Sequence, residues 1–178
     1  MSKNLRNPSA QLNPLAVNER LGVMGYTGRN QSAVKLADQT VNNSAVLVND
    51  AELSIYLGTA PKNCYYVRAT IQLAIAAAAN NVRYAFAGPD GLVLAATSRW
   101  FGTFLITGVV PQVDSNQTAL ASAVVGGTTN AWTQLLIEGV ICPEQPGTLV
   151  FQFAQNVAGA TNTTVKAGSS LMAWEVPA

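Results

Sequence analysis

The chain has 178 residues, 49% of them hydrophobic and only 11% charged, with a formal net charge of +1 and no histidine. A soluble domain usually carries about 25% charged residues, so this surface is unusually neutral. The hydrophobic content excludes a chain disordered throughout. The balance of charge argues against general nucleic-acid binding. Without histidine there is no histidine triad, no histidine-ligated zinc and no histidine acid–base catalysis.

Charge divides the chain. Residues 1–35 hold Lys3, Arg6, Arg20, Arg29 and Lys35 against Glu19 alone. The remainder is acidic on balance. Asn7-Pro8, Asn13-Pro14, Gly22, Gly25 and Gly28 interrupt any regular element in the first part. Residues 1–37 therefore read as an extended N-terminal arm and residues 38–178 as the body. The apolar residues Leu12, Leu15, Leu21 and Met24 set the arm apart from a solvated tail. No apolar run follows Met1-Ser2-Lys3, so no signal peptide is expected. The uncharged stretch 118–137 contains Gly126-Gly127, Thr128, Thr129, Thr133, Asn130 and Gln134. A spanning helix needs about 20 predominantly apolar residues, so no membrane association is expected.

From residue 39 onward the pattern is β. Leu53, Ile55 and Leu57 alternate with Ser54 and Tyr56. Val67, Ala69, Ile71, Leu73 and Ile75 alternate with Tyr66, Arg68, Thr70, Gln72 and Ala74. Val82, Tyr84 and Phe86 follow, then Leu149, Phe151 and Phe153, and last Met172, Trp174 and Val176, interleaved with Leu171, Ala173 and Glu175. A period of two marks strands with one face on a core. Turn signals such as Gly88-Pro89-Asp90-Gly91 and Gly126-Gly127 separate the runs. Strands are expected near 39–48, 51–57, 64–78, 81–88, 91–98, 100–110, 118–125, 131–142, 147–155 and 164–176. The expected fold class is all-β, a jelly-roll β-sandwich of about eight core strands.

Motifs for chemistry are absent. There is no phosphate-binding glycine loop, no dinucleotide fingerprint and no nucleophile elbow. No catalytic residue, cofactor or metal is expected. Asp50 and Glu52 form the one close acidic pair; they read as a solvated turn before a strand, ahead of a calcium corner or half of a glycosidase dyad. Trp100, Trp132 and Trp174 read as core or subunit-interface residues ahead of a carbohydrate platform. Cys64 and Cys142 read as two buried free thiols, with one disulfide as the alternative. Strand positions facing water carry Thr, Gln or Ala where Lys and Glu are usual. Interface cores are depleted in Lys and Glu, so an obligate oligomer is expected, with Tyr66, Arg68, Thr70, Gln72 and Gln152 as interface candidates.

The stretches Asp38–Ser44 and Leu47–Leu53, then Tyr65–Ile71, Tyr84–Gly91, Leu135–Ile141, Gly147–Asn156 and Val165–Leu171, carry a resemblance. In order and spacing they are similar to a tumour-necrosis-factor-like jelly-roll domain common in tailed-bacteriophage virion proteins. The resemblance covers about residues 38–176. It implies a structural protein, often trimeric, on the head as decoration or cement, or on the tail. No heptad run or shaft accompanies the body, which favours the head. The implied partners are the major capsid protein and further copies of the chain, on the outer surface of a capsid assembled in the host cytoplasm. Arg6, Arg20 and Arg29 would pair with capsid acids, and Leu12, Leu15, Leu21 and Met24 would fill grooves. The alternative is a tail fibre or tail-tip head that binds a host surface glycan. A glycan-cleaving enzyme is the weakest reading.

Overall fold

The computed structural model describes residues 30–58, 63–75, 81–106, 112–113, 117–120, 124–126 and 132–177. Their regular structure is entirely β. In chain order the strands are β1 (Gln31–Val34), β2 (Gln39–Val41), β3 (Val48–Leu57), β4 (Asn63–Ile75), β5 (Val82–Ala87), β6 (Val93–Leu94), β7 (Arg99–Ile106), β8 (Gln112–Val113), β9 (Val124–Gly126), β10 (Trp132–Ile141), β11 (Pro143–Gln145), β12 (Gly147–Gln155), β13 (Thr163–Val165) and β14 (Ser170–Pro177).

Every pairing is antiparallel. The larger sheet runs β1-β14-β4-β10-β7-β8, with β13 also on β4 and β2 on β13. A second sheet runs β3-β12-β5-β9, and β6 pairs with β11 in a small ribbon. The long strands β4 and β12 lie where the alternation is strong, whereas β10, with Leu135-Leu136-Ile137 in a row, is apolar on both faces. The expected strand 39–48 is shorter: β2 ends at Val41, and Asn43 turns the chain at φ 48°. The expected strand 164–176 is split into β13 and β14 by a turn at which Gly168 takes φ 87°. β1 precedes the first expected strand. Its chain lies beside β14, from Gln31 opposite Ala173 to Val34 opposite Ser170.

One core joins the two sheets. Val67, Ala69, Ile71 and Leu73 from β4, Leu135 and Ile137 from β10, and Leu171 and Ala173 from β14 meet Leu53, Ile55, Phe86, Leu149, Phe151 and Phe153 from the second sheet. Aromatic rings bridge the layers: Tyr84 meets Phe104 edge-on at 5.6 Å, and Phe86 meets Trp100 edge-on at 5.2 Å. Edge-to-face pairs at such distances add to the stabilisation from burial. Trp100 is thus a core residue. Two glycines make room for this packing. A Cβ on Gly102 would fall 1.8 Å from the Tyr84 hydroxyl, and one on Gly139 would fall 2.5 Å from the Trp100 Cα.

Cys64 and Cys142 do not remain free thiols; they form a disulfide. The β4–β10 register explains the pairing. Tyr65 stands opposite Ile141, so the next residues outward, Cys64 and Cys142, face each other across adjacent strands.

Candidate interaction surface

The strands of the larger sheet have a second face, away from the core. In successive rows it carries Trp174, Tyr66, Val140 and Arg99; then Met172, Arg68, Glu138 and Phe101; then Ser170, Thr70, Leu136 and Thr103. Gln72 and Gln134 continue it toward Leu105, and Val34 of β1 lies beside Ser170. Val34, Leu105, Val140 and Val176 are exposed, while Tyr66, Phe101, Leu136, Met172 and Trp174 are half-buried. β14 shows why the sequence alone hides this face. Both of its alternating sets contain apolar residues, and the core takes the smaller pair, Leu171 and Ala173. Met172, Trp174 and Val176 are left outside.

The few charges on this face are held in place. Arg68 Nε lies 3.6 Å from Glu138 Oε1 across the β4–β10 ladder. The Tyr66 hydroxyl donates to the same oxygen at 2.7 Å. That hydrogen bond to a carboxylate, with partial burial, holds the phenol above its ordinary value of 10.0. The Tyr66 ring lies 5.8 Å from that of Trp174. Arg99 donates to the carbonyls of Ala96 and Ser98, both at 2.6 Å. Apolar side chains thus share this face with uncharged Ser, Thr and Gln and three charged residues engaged within the chain, and depletion of charge of this kind marks interface cores.

Tyr66, Arg68, Thr70 and Gln72 therefore share one surface. Gln152 does not join them. It lies on the outer face of the second sheet, where its Nε2 donates to Asn49 Oδ1 at 2.8 Å. Around it on that face stand Ser54, Thr148, Arg83 and the exposed Tyr56, with Ala85, Val150 and Ala154 buried. Arg6, Leu12, Leu15, Arg20, Leu21, Met24 and Arg29 lie outside the described residues.

Asp50 and Glu52 are not a solvated turn. β3 bulges here: Asn49 and Ser54 pair with Gln152 and Val150, so Asp50, Ala51, Glu52 and Leu53 all stand opposite Phe151. The bulge turns Asp50 inward, where it is 2% exposed, and meets Lys35, also 2% exposed. Lys35 Nζ donates to Asp50 Oδ1 at 3.0 Å, to Glu52 Oε2 at 3.4 Å and to Gln39 Oε1 at 3.4 Å. Glu52 in turn accepts the backbone N–H groups of Leu36 and Ala37, at 3.1 and 3.2 Å. Those two N–H groups, with Lys35, hold its carboxyl below the ordinary value of 4.5. Lys35 was not singled out by its sequence context, Val34-Lys35-Leu36, where one cation at the end of a basic segment reads as a surface charge.

Among the described residues no group of three or more His, Cys, Asp or Glu is arranged to hold a metal ion, and no helix is long and apolar enough to cross a membrane. Comparison with known families matches no family model, and comparison with curated proteins finds no match.

Proposed function

We propose that this chain is a non-enzymatic virion structural protein of the head-decoration type. Its body is a jelly-roll sandwich, and it self-associates through the outer face of the larger sheet. The observation that carries this reading is that face, which combines Trp174, Tyr66, Met172, Leu136, Val140 and Phe101 with the internally paired Arg68–Glu138 couple and Arg99, itself bonded to the Ala96 and Ser98 carbonyls. A solvated face of that composition would promote non-specific association; contact with further copies gives it a permanent cover.

Strand order supports the jelly roll. Setting aside β2, β6, β11, β13 and the β7–β8 addition, the two layers run β1-β14-β4-β10 and β3-β12-β5-β9. Three consecutive strands make four pairings with partners distant in sequence: β3 with β12, β4 with β10 and with β14, and β5 with β12. This is the nested pairing that two wound Greek keys produce.

In this reading the arm docks on the major capsid protein. Several weak contacts from one oligomer bind the assembled shell far more tightly than a free subunit, and binding only the assembled state stabilises it by mass action. The test is decoration of purified capsids by the full-length protein and by a chain lacking residues 1–29. That boundary leaves β1 and Lys35 in the body. Full-length protein is expected to co-sediment with capsids and to raise their resistance to heat, and the shortened chain to do neither. Full binding by the shortened chain would remove the arm from the mechanism. Binding to tails alone would move the protein to adsorption.

A further inference from the structure

The buried contact of Lys35 with Asp50 and Glu52 is not used by the surface described above. Nζ lies 3.0 Å from Asp50 Oδ1 and 2.9 Å from Oδ2. A nitrogen so nearly equidistant from both oxygens lies within about 3.5 Å of the carboxyl carbon they share, which is near-attack separation. Oδ1 also accepts the backbone N–H groups of Glu52 and Leu53, both at 3.0 Å. Two fixed donors on one oxygen stabilise the charge that grows there when a carbonyl carbon becomes tetrahedral. Oδ2 is fully buried and in ion-pair range of Nζ, but it accepts no aligned hydrogen bond. It is the oxygen left to be protonated and expelled. Glu52 Oε2 reaches Nζ at 3.4 Å, and its side chain is 29% exposed, so it links the buried amine to solvent.

We infer that Lys35 and Asp50 condense without any added enzyme to an intramolecular isopeptide bond, with Glu52 as the proton carrier. Glu52 takes one proton from the Lys35 ammonium and delivers it to Asp50 Oδ2. The freed nitrogen lone pair attacks Asp50 Cγ, and the C=O electron pair moves onto Oδ1, beneath the two backbone N–H groups. Glu52 then takes a second proton from the nitrogen and passes it to the same Oδ2. The Cγ–Oδ2 bond breaks, its electron pair leaves with water, and the Oδ1 electron pair restores the carbonyl. One ammonium and one carboxylate become one amide and one water, and nothing is oxidised or reduced. Condensation also removes two charges whose burial carries a large desolvation cost. The product ties the junction of β1 and β2 covalently to β3. This inference stands apart from the virion reading and survives or fails without it.

The test is intact-mass spectrometry of the full-length protein with its disulfide reduced, followed by peptide mapping. The wild-type chain is expected to weigh less than Lys35→Arg by one water beyond the substitution itself, and to give a branched peptide joining the Lys35 and Asp50 segments. Glu52→Gln is expected to form the bond roughly a hundredfold more slowly, so that the unmodified chain accumulates and converts with time. A wild-type chain at full mass with no branched peptide, fresh and after prolonged incubation, would overturn the inference. So would a loss of water that persists in Lys35→Arg. Because the wild-type mass is itself decisive, a variant that fails to fold does not rescue the idea.

Discussion

Asp38, Glu52 and Asp90 lie at the surface, yet each carboxylate is already engaged. Asp90 accepts the hydroxyl and the backbone N–H of Thr148, both at 2.7 Å. Those bonds hold its carboxyl below the ordinary value of 3.8. Asp38 is lowered by Lys166, then by the backbone N–H of Ala167. Glu52 is lowered by Ala37 and Leu36. A carboxylate whose folded value lies below its unfolded value stabilises the fold fully above the unfolded value. The contribution is lost as pH falls through the folded value. Thermal stability is therefore expected to be level through neutral pH and to decline once the pH passes below 4.5 and then 3.8, the ordinary Glu and Asp values. Asp90→Asn keeps an acceptor but not the charge. Its unfolding temperature should be lower at neutral pH and should converge on wild type in acid; parallel acid limbs would show that Asp90 contributes nothing through its charge. The sequence shows Asp90 in its Gly-Pro-Asp-Gly turn, but not Thr148 beneath it. That contact spans the chain, and only the fold brings it together.

Strands with one apolar face were legible, because burial on β4 follows the same period as the residues, and the large apolar side chains of β5 and β12 keep that period although Ala85, Val150 and Ala154 are buried out of phase. Val67, Ala69, Ile71 and Leu73 are all buried, as are Val82, Tyr84 and Phe86. What escaped reading was pairing and orientation. β14 is apolar on both sides, so its alternation alone cannot tell core from surface. β1 has only Ala33 and Val34 as apolar members, and it is a strand because β14 offers it an edge. The disulfide is a register effect of the same kind: two cysteines 78 residues apart meet only through the β4–β10 ladder. This cross-link closes a long loop, and such links contribute typically 2–4 kcal/mol. Reduction should shift the urea midpoint of the wild-type protein downward by an amount in that range, about 2–4 kcal/mol once multiplied by the slope. The double variant Cys64→Ala, Cys142→Ala should start from the lower midpoint and ignore reductant. A wild-type midpoint unmoved by reductant would mean that the ladder alone holds β4 to β10.

At the scale of the whole molecule, low charge belongs to both sheets, and what sets the larger one apart is the number of apolar side chains on its outer face. The composition indicated a neutral exterior, and the residue alternation supplied candidates on both sheets. The topology then separated them, leaving Tyr66, Arg68, Thr70 and Gln72 together and Gln152 on the far side. If copies meet through the larger sheet, a charge placed among its apolar residues must either be desolvated unpaired or break the contact, and an unpaired buried charge is costly. Leu136→Lys and Met172→Lys leave the core untouched, because both side chains already point away from it. Sedimentation velocity should find the wild-type chain as an oligomer and these two variants shifted to folded monomers, with unchanged circular dichroism. Gln152→Lys puts the same charge on the opposite sheet and should leave the oligomer intact. Dissociation by Gln152→Lys with no effect from Leu136→Lys would transfer the interface to the second sheet. The aromatic row of Trp174 and Tyr66 would then need another partner, and the capsid itself would be the next surface to test against it.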